Sequence, residues 1–223
     1  EGIRRSGDWG CILSLQPPET ASPGCYEGKI ALELPDTDYE FPLDILIAGR
    51  RGSVGISRAK EDGLEVFSID NGQYLFKVCP EFAGTMHSAI EKGTGRNHLL
   101  SAFPKPKPFV YFNPWFGGIR TLVFKESWPG KAHEERWNGR KVEMGTWKGM
   151  SVSTKFTDLN EDLKGLEAEI SYLTQPGSNI VRVVNEFKNT TSASMSFGSL
   201  TTIFLQLGGS RDKYAVTVPG RRG

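Results

Sequence analysis

Apolar and polar residues alternate with period two along most of the chain, and the apolar positions are rich in β-branched and aromatic side chains. That pattern is the signature of half-buried strands. It predicts strands over Lys29–Leu34, Phe41–Ala48, Ser53–Arg58, Leu64–Ile69 and Gln73–Cys79. Further along it predicts Arg120–Phe124, Lys141–Gly145, Ser151–Phe156, Leu166–Leu173, Asn179–Asn189, Ser194–Leu200 and Thr202–Leu207. Turn chemistry separates several of these: Asp70-Asn-Gly72, Asn138-Gly139, Gln175-Pro-Gly-Ser178 and Lys188-Asn-Thr-Thr191. Helical periodicity is almost absent; Gly84–Glu91 and Asp158–Gly165 each have room for a turn or two. The expectation is an all-β, antiparallel β-supersandwich with few short helices, built as a single domain over residues 1–223. No fixed-period repeat points to a propeller or solenoid.

One stretch departs from the alternation. Phe103-Pro-Lys-Pro-Lys-Pro-Phe-Val-Tyr-Phe-Asn-Pro-Trp-Phe-Gly-Gly-Ile119 holds six aromatics, four prolines and a Gly-Gly pair. Pro104–Pro108 reads as a stiff, extended rim segment. Gly117-Gly118 precedes a strand and marks a bulge or a close backbone approach, not a dinucleotide fingerprint. Tyr and Trp present an apolar face with a polar handle, a combination that suits sugars and also proline-rich or aromatic partners.

Composition narrows the function classes. The 223 residues include 27 basic and 26 acidic side chains, so no global charge draws nucleic acid or an anionic membrane. The basic cluster Arg211, Lys213, Arg221 and Arg222 reads as a solvated tail. Mean hydropathy is -0.36 and no apolar run reaches the roughly 18 residues that span a bilayer, so a soluble globular chain is expected. Cys11, Cys25 and Cys79 form no zinc spacing; Cys79 reads as a small buried hydrophobe, and a Cys11–Cys25 disulfide stays open. Three cysteines favour the cytoplasm over secretion. Asn189-Thr-Thr191 is a sequon of a length common by chance. The chain begins at Glu1 without a signal peptide and ends on Pro219-Gly-Arg-Arg-Gly223, which reads as a piece of a longer polypeptide. There is no Gly-x-Ser-x-Gly elbow, P-loop or His-Glu-x-x-His, and neither a metal nor a cofactor is expected.

The segment from Leu166 to Thr191 is unusually regular: a strand, a Pro-Gly-Ser turn, and a long strand ending Asn-Thr-Thr, preceded by Trp147-Lys-Gly-Met-Ser-Val-Ser153. It resembles the galactose mutarotase-like β-supersandwich found in aldose 1-epimerases and in domains of many carbohydrate-active enzymes. The resemblance covers Trp147–Leu207, and Asn113–Ile119 more loosely. It implies a sugar site on the concave face of the larger sheet, formed by aromatics, an Arg, and His or carboxylate side chains. Aldose epimerases pair a His acid with a Glu base from late in the chain, whereas here no acidic residue follows Asp212.

Candidates follow from residue type as well. Arg96-Asn97-His98 offers a cation, an amide and an imidazole in one loop, though His98 also reads as a plain loop residue beside Leu99. His87 reads as a core or surface residue of a short helix, and His133 as part of a solvated charged loop. Glu81, flanked by apolar residues, is the base candidate, while Glu186 reads as an exposed strand position. Phe103, Phe109, Phe112 and Phe116 read as core; Tyr111, Trp115, Trp128, Trp137 and Trp147 read as platforms, with Trp115 and Arg120 foremost. The expected function is a carbohydrate-binding, non-catalytic accessory module. The alternatives are an epimerase using His98 or His87 with Glu81, a ligand-free domain packing on a neighbour through Phe103–Phe116, and a generic adhesion sandwich.

Overall fold

The computed structural model describes residues 21–49, 52–126, 128–206 and 208. Strands β1 (Gly24–Leu34), β2 (Thr37–Ile47), β3 (Gly55–Glu61), β4 (Leu64–Asp70), β5 (Tyr74–Cys79) and β6 (Thr85–Glu91) come first. They are followed by β7 (Lys107–Phe109), β8 (Phe112–Trp115), β9 (Ile119–Phe124), β10 (Asn138–Met144) and β11 (Trp147–Lys155). Last come β12 (Leu166–Thr174), β13 (Arg182–Asn189) and β14 (Gly198–Ile203), and 3₁₀ turns lie at Ala132–Glu134 and Asp158–Leu163.

The chain divides into two compact units, Glu1–Ile47 and Ala48–Gly223. Within the first, β1 and β2 form an antiparallel hairpin with Leu34 opposite Thr37 and Gly24 opposite Ile47. The register puts Ile30 opposite Phe41 and Leu32 opposite Tyr39 on one face, while Glu27 opposite Asp44 and Glu33 opposite Asp38 fall on the other.

The second unit is an antiparallel all-β sandwich. A six-stranded sheet in the order β14-β9-β6-β5-β4-β3 packs on a four-stranded meander, β10-β11-β12-β13. Their inner faces share one core: Phe67, Phe76, Val78, Met86 and Val123 meet Met150, Val152, Ile170 and Tyr172. Tyr172 crosses between the layers; its buried hydroxyl donates to the Gly84 carbonyl at 2.9 Å and lies 3.1 Å from that of Ile119. Thr121 on β9 and Asn185 on β13 make a second polar tie at 2.8 Å. The opposite, outer face of the six-stranded sheet carries a smaller cluster, Val66, Cys79, Phe82 and Phe116, with Phe103 against it.

Several expectations change on folding. The segment expected to hold a helical turn, Gly84–Glu91, instead forms strand β6 from Thr85 onward, because Met86 and Ala89 supply inner-face core and pairing with β5 overrides local helix propensity. Asn138-Gly139 begins β10 instead of turning the chain, and a side chain at Gly139 would strike Pro80, Phe67 and Met150. The expected strands Ser194–Leu200 and Thr202–Leu207 reduce, among the described residues, to β14 alone. Asp158–Gly165 does hold a short 3₁₀ turn, and the Gln175–Ser178 turn forms with Gly177 at positive φ. Cys25 and Cys79 are unbridged among the described residues; Cys11, Asp212 and the basic tail lie outside them.

Candidate functional site

Alternation along the six-stranded sheet decides what its outer face offers. Phe76 and Val78 point into the core, so Lys77 between them points outward. There Lys77 Nζ donates to both carboxylate oxygens of Glu61, at 2.8 and 2.9 Å, from the end of β3. On β6 the register shifts: Val78 pairs with Met86 and Lys77 with Ser88, leaving His87 as the extra residue of a bulge. The His87 ring stacks on Phe103 with centroids 3.9 Å apart, and its Nδ1 lies 3.1 Å from Ser88 Oγ. Its Nε2 is buried and has no hydrogen-bond partner among the described residues.

These groups line a cleft of about 300 Å³, together with Asn97 and Ser101, at the lower end of the range for small-molecule sites. Only 3% of His87 is exposed. Burial, opposed in part by Glu61 and reinforced by Lys77, pushes its pKa down to about 4. At neutral pH it is an uncharged imidazole, a hydrogen-bonding group more than a proton donor.

The other expected site residues fall elsewhere or are already engaged. Asn97 reaches the cleft, but its Oδ1 accepts from the Ala89 and Leu99 amides at 2.9 and 3.2 Å. Arg96 donates to the Gln206 carbonyl, and His98 packs near Tyr74 with Nε2 3.6 Å from Glu91. Glu81 accepts from the Glu65 amide at 2.6 Å and lines a separate cleft with Trp137, so it does not share a pocket with His87. Trp147 lies on β11 of the other sheet, under the Arg182 guanidinium. Tyr111 is 84% exposed at the tip of the β7–β8 hairpin, beside Val110 at 76%.

Trp115 and Arg120 are together, but not as a wet platform. Trp115 is 2% and Arg120 6% exposed. They line a void of about 10 Å³, enough for one water-sized guest and too small for a sugar ring. The tight path that buries them starts at Gly117 and Gly118, both at positive φ; a Cβ on Gly118 would strike the Met86 carbonyl oxygen.

The sequence reading passed over Lys77, Glu61, Ser88 and Ser101. One signal was present: a lone lysine inside the apolar run Tyr74-Leu-Phe-Lys-Val-Cys79 is an outward charge on an otherwise buried strand.

No family model and no curated protein matches the chain. Two solved structures are similar. A galactose 1-epimerase from Lactobacillus acidophilus NCFM is 14% identical with a TM-score of 0.42, covering 61% of this chain and 48% of that one. A TPR-domain containing protein from Parabacteroides distasonis ATCC 8503 is 14% identical with a TM-score of 0.41, covering 74% and 29%. The likeness is distant and at the level of the fold. This chain spans about half of the first neighbour's length and under a third of the second's.

Proposed function

We propose that the chain is a carbohydrate-binding module whose ligand occupies the His87 cleft. The observation that carries this reading is the convergence of a buried, unpartnered imidazole nitrogen and the Lys77–Glu61 pair around one 300 Å³ cleft. Sugars present closely spaced hydroxyls that both donate and accept. A cation, a carboxylate and a neutral imidazole supply both kinds of partner in a small volume. Phe103 gives the cleft an apolar wall for the C–H face of the ring.

Binding is favoured over epimerase chemistry. An acid–base pair needs a protonated acid at working pH, and the low pKa of His87 denies it that role near neutrality. Glu81, the expected base, is held in another cleft.

The test is a panel of mono- and oligosaccharides screened by saturation-transfer NMR against wild type, Lys77→Met and His87→Gln. Saturable binding that weakens about tenfold or more in either variant is expected, since a hydrogen bond to a charged or buried group contributes roughly 1.5–3 kcal/mol. Affinity unchanged in both folded variants, or no binding across the panel, contradicts it.

A second reading, a module that packs on a neighbouring domain through the aromatic strap, is favoured by the exposure of Val110 and Tyr111. Paired Val110→Ser and Tyr111→Ser substitutions separate the two: sugar binding is retained if the cleft is the site.

A further inference from the structure

The void beside Arg120 and Trp115 raises a question of charge that the sugar cleft does not answer. Arg120 is the second residue of β9 and points to the outer face, because Ile119, Thr121 and Val123 point inward. Its guanidinium lies over the Phe116 ring, 4.4 Å from the centroid. That contact engages the face of the cation, while its N–H groups, which lie in the guanidinium plane, find no hydrogen bond or ion pair among the described residues. Burial lowers its pKa only to about 10, so the group stays charged at neutral pH. A largely buried cation with no counter-ion is costly.

A second donor has the same deficit. The indole Nε1 of Trp115 is buried without an acceptor, and Trp115 lines the same void as Arg120. A guanidinium that is 6% exposed and makes no hydrogen bond among the described residues, and a fully buried indole N–H, thus border one space. No acidic residue lines the void among the described residues, although the Glu134 carboxylate lies 4.0 Å from His133 Nε2. His133, also on the void, has its pKa pushed down by burial and by Arg120 itself, and the Lys107 ammonium lies 5.6 Å from the Trp115 ring centroid. The remaining wall is mostly apolar, with Phe112, Pro114 and Phe204 among it, and the Thr202 hydroxyl on it donates to the Arg120 carbonyl.

We infer that this void is a site for one halide-sized anion, chloride in solution, held between the Arg120 guanidinium and the Trp115 indole N–H. The argument is charge and size together. A water molecule fits a space of about 10 Å³ and satisfies donors, but it leaves the cation uncompensated; a carboxylate or sulfate compensates it but exceeds the space. A monatomic anion compensates it and is the smallest group that does, only slightly larger than water, and its weak hydration suits an apolar wall. The site is independent of the sugar cleft, since neither Arg120 nor Trp115 lines that cleft.

Bromide tests it on the full chain. Crystals grown in sodium bromide are expected to show an anomalous peak within hydrogen-bonding reach of Arg120 and Trp115 Nε1. In solution, thermal unfolding at fixed ionic strength, with bromide exchanged for acetate, is expected to raise Tm by about 3–5 °C for each tenfold of bromide beyond half-saturation. Arg120→Met removes the charge and is expected to abolish that dependence. If Arg120→Met does not fold, the anomalous map and the wild-type titration still decide. A map with no peak at Arg120 overturns the proposal, as does a bromide shift equal in wild type and variant. Stabilisation by acetate in place of bromide overturns it too, in favour of a carboxylate ligand.

Discussion

His87 reaches the outer face because β6 carries one residue more than β5 beside it. The bulge re-aims the ring onto Phe103 and buries it uncharged. This ties stability to pH with a definite sign. The unfolded chain binds a proton at His87 below about pH 6.5, whereas the folded chain resists protonation until pH falls to about 4. The contribution is therefore fully present above pH 6.5 and is lost as pH falls toward 4, by roughly 3 kcal/mol across that window. Denaturant unfolding from pH 7 to pH 4 is expected to show His87→Gln losing part of the wild-type slope. Part is kept, because the half-buried His133 is shifted in the same direction. A variant with an undiminished slope contradicts the burial of a neutral ring. Gly118 is the other residue where one atom matters. Gly118→Ala places a Cβ against the Met86 carbonyl at positive φ and is expected to cost at least about 1–3 kcal/mol, read as a fall in unfolding free energy.

Among the elements, β12 joins the two layers of the sandwich through one hydroxyl. Tyr172→Phe keeps the ring and removes the donor to the Gly84 and Ile119 carbonyls. A loss of about 1–3 kcal/mol is expected from leaving them unsatisfied, and a variant as stable as wild type in chemical denaturation contradicts that tie. The β1–β2 hairpin has long, well-registered strands but only two of them. A peptide spanning residues 21–47 is expected to be largely unfolded in water by circular dichroism; a cooperative thermal transition in that peptide contradicts this. Element boundaries also show where local sequence speaks and where it does not. Asp62-Gly63, both at positive φ, makes the two-residue β3–β4 turn, an Asp-Gly hairpin signal that the turns expected from the sequence did not include. Asn138-Gly139 carries an equally strong turn signal and is overruled, because Phe67, Pro80 and Met150 need the space that a side chain at Gly139 would fill. The real β10–β11 turn lies at Gly145-Thr146.

At the scale of the molecule, the all-β sandwich was legible because each sheet buries one face on a shared core, and alternation in the sequence records that directly. The candidate site was legible only in part. Its members come from the end of β3, from β5, from the bulge in β6 and from residues 97–103, and only the pairing of strands brings Glu61, Lys77 and His87 to one cleft. The aromatic stretch drew attention in the sequence because of its composition. Folded, it divides among Phe103 on the wall of the His87 cleft, a buried niche at Trp115 and an exposed tip at Tyr111, and neither of the last two encloses a sugar-sized space. The central claim is that a carbohydrate enters the His87 cleft. The most direct measurement is a titration of the sugar selected by the panel against protein labelled with nitrogen-15 in histidine, observing the imidazole nitrogens by NMR. A saturable shift of the His87 Nε2 resonance, with His98 and His133 unmoved, is the expected result. Saturable binding that leaves His87 unmoved contradicts the account and places the sugar elsewhere on the protein.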